Sequence, residues 1–102
     1  MGLQVVLTLR ATQDLREIAD YIRADNPARA ISFGEELFGR ALSVGELPKA
    51  AGMVPEIGDA AVREVIHQAC RIIYEIYPDR GIIYVLRFWH AARGKPIILP
   101  RA

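Results

Sequence analysis

Residues 62–90 read VREVIHQACRIIYEIYPDRGIIYVLRFWH. Apolar, β-branched and aromatic side chains crowd this stretch, and its period is two. Residues 62–67 form one candidate strand. Residues 69–77 form a stronger one, carried by Ile72, Ile73, Tyr74 and Ile76. Pro78-Asp79-Arg80-Gly81 is a tight-turn sequence, with proline fixing φ early and glycine free to take a left-handed conformation late. Residues 82–90 are a third strand. Three strands joined by short links predict an antiparallel meander.

Upstream of the meander the period is different. Residues 49–61 are rich in Gly, Pro and Ala and read as a loop. Before them, Ala30, Phe33, Leu37, Ala41 and Val44 repeat at helical spacing, and Phe38 and Leu42 are expected to widen that stripe. Asn26 is the expected cap of this helix, with Pro27 at its first position, where a missing N–H costs nothing. Glu36 and Arg40 are spaced for an i,i+4 pair on its wet face. Gly45 and Pro48 end it. An earlier helix carries Leu15, Ile18, Ala19 and Ile22, with Thr12 as the expected cap and Asp14 in the first turn, where the dipole favours an acid. Leu3, Val5, Leu7 and Leu9 alternate and predict an opening strand. The order is β-α-α-β-β-β in one domain, residues 1–102. The class is α+β: a helical hairpin packed on one face of a mainly antiparallel sheet.

That architecture raises a question about the other face. On the third meander strand Ile83, Val85, Arg87 and Trp89 alternate with Tyr84, Leu86, Phe88 and His90. Neither set is cleanly polar. The strand before it sets Arg71, Ile73 and Glu75 against Cys70, Ile72, Tyr74 and Ile76. The open face is therefore expected to mix basic and aromatic groups, as a nucleic-acid or protein docking face does. The tail from residue 91 holds Pro96 and Pro100, and Ile97-Ile98-Leu99 is expected to pack on the body.

Composition narrows the function classes. Hydrophobic residues are 52% and charged residues 25%, the make-up of a folded domain and not of a disordered one. The formal net charge is +1, too small for a protein that coats nucleic acid or membrane by charge alone. The total conceals a division. Residues 1–62 hold six basic and nine acidic groups, a net −3, while residues 63–102 hold seven basic and three acidic groups, a net +4. Such asymmetry points to an anionic partner for the basic part. The single cysteine, Cys70, excludes an internal disulfide framework, and two histidines make a metal site implausible without carboxylates. No signal peptide or membrane span is read, so a cytoplasmic location is expected.

At this point the residues resemble a family. Arg63-Glu64, Cys70-Arg71-Ile72-Ile73-Tyr74-Glu75-Ile76 and Val85-Leu86-Arg87-Phe88-Trp89-His90-Ala91-Ala92-Arg93 are similar to the C-terminal half of the RelE/ParE toxin superfamily. Met53-Val54-Pro55-Glu56-Ile57-Gly58-Asp59 resembles the loop before it. Ala11–Ile22 and Asn26-Pro27-Ala28-Arg29-Ala30 resemble the first helix and the inter-helix turn. The resemblance spans nearly the whole chain, in order, and implies the β-α-α-β-β-β fold read above. It also implies a bacterial toxin of a type II toxin–antitoxin pair, of the kind tied to plasmid stabilisation and growth inhibition. A cognate antitoxin would cover it with an acidic, extended segment in a hetero-oligomer. RelE-like members cut mRNA in the ribosome without a metal, whereas ParE-like members poison DNA gyrase without catalytic residues. No cofactor is implied in either case.

Metal-free RNA cleavage needs a group to take the 2′ proton, a cation for the pentavalent phosphate and an acid for the leaving oxygen. The candidates for that chemistry are Glu56 and His90 as base or acid, Arg63, Arg71 and Arg93 for phosphate, and Tyr74 as acid or stacking group. The structural alternatives are cross-strand pairing of Arg71 and Arg87 with Glu64 or Glu75, packing roles for His90 and Tyr74, and an idle, exposed His67. Cys70 lies inside a strand and is not read as a nucleophile. For binding of a target or antitoxin the candidates are Arg87, Trp89, Arg93 and Lys95. The chain has only Lys49 and Lys95, so the lysine patch of some nuclease members is absent. Together with the WHAAR-type strand end, this favours the ParE-like, gyrase-binding reading over the RelE-like ribonuclease. A non-toxic protein-binding domain is the third alternative.

Overall fold

The computed structural model describes residues 2–46 and 48–93, with Pro96 and Ile98. Its elements are β1 (Gln4–Leu7), α1 (Leu9–Arg23), α2 (Pro27–Ser43), β2 (Gly52–Met53), β3 (Val62–His67), β4 (Cys70–Tyr77) and β5 (Ile82–His90), with 3₁₀ turns at Pro78–Arg80 and Ala91–Arg93. One five-stranded sheet has the order β1-β5-β4-β3-β2. The meander pairs antiparallel throughout, and β1 joins it parallel to β5. This is the expected α+β arrangement.

Thr8, not Thr12, caps α1. Its hydroxyl accepts the Ala11 N–H at 3.1 Å and donates to the Val85 carbonyl at 2.8 Å. Cap and strand end are thus the same residue, so β1 stops at Leu7 and Leu9 is already helical. Asn26 caps α2 as expected, accepting from the Arg29 N–H at 3.1 Å. The segment read as a featureless loop contains β2, which pairs with β3 at Met53↔Arg63. Arg63 holds it there, donating to the carbonyls of Ala60 at 2.8 Å and Ala51 at 3.0 Å. At the turn after β4, Gly81 takes the left-handed conformation, with φ 68°.

Two apolar cores sandwich the sheet. On the helix side, Phe33, Leu37 and Ala41 of α2, with Val44 just after it, meet Ile72, Tyr74, Ile76, Ile83, Val85 and Phe88. Full burial of side chains this size contributes about 1.5–3 kcal/mol each. Phe38 and Leu42 do not widen the buried α2 stripe; with Ile31 they lie exposed to one side of it. The second core holds Val54, Val62, Ile73, Leu86, Trp89 and Ile98. The sheet face expected to be open is therefore roofed by the segment around Val54 and Ile57 and by Ile98 of the tail. Ile97 and Leu99 lie outside the described residues.

A bulge explains the remaining difference. Tyr74 pairs with Val85 but Ile73 pairs with Arg87, so Leu86 is an extra residue in β5. One extra residue reverses the faces downstream. Val85 and Phe88 consequently share the helix side, and Leu86 and Trp89 share the other. Strict alternation had placed Phe88 beside Leu86 and Trp89 beside Val85.

Candidate functional site

Past the end of β1, the bulge brings Arg87 and the Phe88 N–H under α1. Asp14 meets them there. Its carboxylate accepts from Arg87 Nε at 2.7 Å, Arg87 Nη2 at 3.0 Å and the Phe88 N–H at 3.1 Å. Asp14 is 0% exposed and Arg87 2%. A fork pairing of this kind, with a backbone donor added, offsets the cost of removing both charges from water. Arg87 was expected to pair with Glu64 or Glu75, and was a candidate for contact with a target. The structure instead commits it to Asp14, in the interior. Asp14 was read as a first-turn acid because Thr12 was taken as the cap. With the helix starting at Leu9, Asp14 lies one turn after Ala11 and one before Ile18, on the buried stripe.

From this anchor the strand end is built outward. The Arg87 guanidinium lies 4.8 Å from the centre of the Trp89 ring, and that of Arg93 4.4 Å. Trp89 is 3% exposed, so the indole is a buried spacer and not a stacking surface. Arg93 is exposed and reaches solvent at this end. Lys95, the fourth binding candidate, lies outside the described residues.

The proposed phosphate cation is also engaged. Arg71 donates to both oxygens of Glu56, at 2.9 and 2.8 Å, and through Nε to Glu64 at 2.5 Å. The hydrogen bonds with Glu56, followed by those with Glu64, hold its pKa above the ordinary guanidinium value against the opposing effect of burial. Arg71 pairs with Glu64 as expected, but its second partner is Glu56 from the roofing segment and not Glu75. Tyr74 is 0% exposed and donates to the Pro48 carbonyl at 2.6 Å. Burial raises its phenol pKa, which disfavours the phenolate. Burial likewise pushes the Cys70 thiol up to about 12, so it stays protonated at neutral pH.

The six candidates for nuclease chemistry do not gather at one point: Arg71 meets Glu56, and His90 shares a cleft with Arg93, apart from Arg63 and Tyr74. Arg71 shares with Ile73 the face turned away from the helices, where Glu56 meets it. Tyr74 is inside the helix-side core, and Arg63 is tied to backbone carbonyls. His90 pairs in register with Cys70 and lies on the helix side. There it lines a cleft of about 570 Å³ between the tip of the helical hairpin and the end of the sheet. Glu17, Ile18, Tyr21 and Ile22 of α1 form one wall, Arg29 and Phe33 of α2 another, and Gln68, Ala69 and Arg93 complete it. No sequence motif marked this cleft, because its lining comes from five separate segments of the chain.

His67 braces one side of the cleft and is not idle. Its Nε2 lies 2.8 Å from Glu36, which also accepts from Arg29 at 2.6 Å. The anticipated Glu36–Arg40 pair is thereby replaced. Arg29 first, then His67, keep the Glu36 carboxyl below its ordinary pKa. Arg29 continues to Gln68 at 3.3 Å and lies 5.0 Å over the Phe33 ring. Among the described residues no three His, Cys, Asp or Glu side chains gather as metal ligands, and no helix is long and apolar enough to cross a membrane.

Residues 5–94 match the family model of the ParE toxin of the parDE type II toxin–antitoxin system. Toxin RelE2 of Caulobacter vibrioides is 33% identical over 90 residues, covering 88% of this chain and 97% of that protein. Among solved structures, the chromosomal ParDE toxin–antitoxin system of P. aeruginosa superposes with a TM-score of 0.73 at 15% identity, covering 87% of this chain and 96% of that one. The RelBE2 toxin–antitoxin complex of Mycobacterium tuberculosis gives 0.66 at 17% identity, covering 90% and 94%. A double arginine mutant of E. coli RelE in the free state gives 0.64 at 15% identity, covering 92% and 88%. These structural likenesses establish the shared fold.

Proposed function

The chain belongs to the ParE toxin family of type II toxin–antitoxin systems, and from that premise we propose that it arrests growth by binding DNA gyrase in the cytoplasm, without catalysis of its own. One observation carries this reading: the groups that would have to cooperate in RNA cleavage are divided between the two faces of the sheet. Arg71 and Glu56 neutralise each other on one face, His90 lies with Arg93 at the cleft on the other side, and Tyr74 is enclosed. A general base, a phosphate cation and a general acid must meet around one phosphate. A binding protein has no such requirement. Neutralisation by a cognate antitoxin completes the proposal, in line with the solved relatives, two of which are toxin–antitoxin systems.

Overexpression in a bacterial host tests it. Wild type, Arg71→Ala and His90→Ala are each expected to arrest growth and induce the DNA-damage response. Loss of toxicity in both variants, with their folds intact and translation halting at once in the wild type, would establish the ribonuclease instead. No growth defect from the wild type would count against both mechanisms.

A further inference from the structure

The cleft at the hairpin tip is built in advance, on two supports. The first holds its apolar lining of Ile18, Ile22 and Phe33. The Phe33 ring is contacted by the Arg29 guanidinium, 5.0 Å from its centre, and by the His67 ring at 5.7 Å. Glu36 holds both groups, at 2.6 Å from Arg29 and 2.8 Å from His67, and Gln68 accepts a further bond from Arg29. The second support holds the lip. The Arg93 guanidinium lies 4.4 Å from the centre of the Trp89 ring, and Trp89 is held in turn by Arg87, whose charge Asp14 answers. A preformed cleft with an apolar lining and few polar groups is the usual form of a small-molecule site, and about 570 Å³ lies within the range of such sites.

Charge and ring surface select the ligand class. Arg29 is neutralised by Glu36. Among the described residues no carboxylate pairs with Arg93, which is exposed, so Arg93 is the cation offered to a ligand. Glu17, the one acid of the lining, is exposed to water, which weakens its repulsion of an anion. Tyr21, 80% exposed, adds a flat aromatic surface. We propose that this cleft binds a small aromatic carboxylate, its rings on Ile18, Ile22 and Phe33 and its carboxylate on Arg93. Such a site needs neither gyrase nor any other macromolecule, so it stands apart from the function proposed above.

The test titrates naphthaleneacetate and its neutral isostere naphthaleneacetamide into the full chain, followed by NMR of the isoleucine methyl groups. At low salt the acid is expected to bind about two- to fivefold more tightly than the amide, the range of an exposed ion pair. Methyl shifts are expected at Ile18 and Ile22 and not at Ile31 or Ile66, which are exposed elsewhere on the surface. Arg93→Gln should abolish the preference for the acid, Glu17→Gln should strengthen binding of the acid about twofold, and Tyr21→Ala should weaken both ligands alike. All three positions are exposed, and circular dichroism verifies that the variants fold. Equal affinities for acid and amide, or a preference that survives Arg93→Gln, would overturn the ligand class. Shifts at Ile31 or Ile66 in place of Ile18 and Ile22 would put the ligand on an exposed apolar patch and overturn the site. The absence of saturable binding by either compound would overturn the proposal outright, and none of these outcomes bears on the gyrase reading.

Discussion

Asp14 and Arg87 are the residues on which the strand end depends. Neither charge is accessible to water, and each satisfies the other through two hydrogen bonds. Removing one charge leaves the other buried without its ion-pair partner. Asp14→Asn should therefore destabilise the fold by about 3–5 kcal/mol, read from urea unfolding. A loss of under about 0.5 kcal/mol, the size of an ordinary surface substitution, would show that the pair has no such role. With Thr12 as the expected cap, Asp14 falls in the first turn of the helix, and that expectation hid its place on the buried stripe between Ala11 and Ile18. Its partner was not legible, because contact between α1 and β5 spans 73 residues of chain. For Arg71 the sequence identified Glu64 as an acid within reach on the neighbouring strand. It could not reveal Glu56, because a loop's path over a sheet leaves no periodic signal.

At the scale of elements, periodicity located α2, β3, β4 and β5 well, since each presents an apolar face that must be buried. Two things escaped it. A bulge is an insertion in pairing and leaves no mark in composition, so Trp89 and Phe88 were assigned to each other's faces. The short β2 is held by hydrogen bonds from Arg63 to backbone carbonyls and has no hydrophobic pattern of its own. Gly45 is the counterexample. Read simply as a helix terminator, it is also the close contact between α2 and the start of the sheet. Leu3 donates its N–H to the Gly45 carbonyl at 2.8 Å, and a Cβ on Gly45 would lie 2.5 Å from the Leu3 carbonyl oxygen. Gly45→Ala is expected to cost about 1–3 kcal/mol in thermal unfolding as backbone is forced away from backbone. Gly39→Ala meets nothing within 4 Å and lies inside a helix, so it should stabilise by about 0.5–1 kcal/mol. Equal effects at the two glycines would contradict this account of the helix–sheet contact.

For the whole molecule, the division of charge acquires a structural meaning. An acidic first part and a basic second part suggested an anionic partner. Much of that asymmetry is consumed inside the fold: Arg87 answers Asp14, Arg71 answers Glu56, and His67 leans on Glu36. What remains outward is narrower than a basic sheet face. Among the described residues of the basic part, Arg80 and Arg93 are exposed, and Arg93 lies at the lip of an apolar cleft. The same internal pairing occupies Arg71 and Glu56 with each other, which supports the proposed binding role. Supercoiling of relaxed plasmid by purified DNA gyrase and ATP, with rising amounts of this protein, tests that conclusion most directly. Supercoiling should fall with dose, for wild type and Arg71→Ala alike; undiminished supercoiling at an excess of the wild-type protein would contradict it.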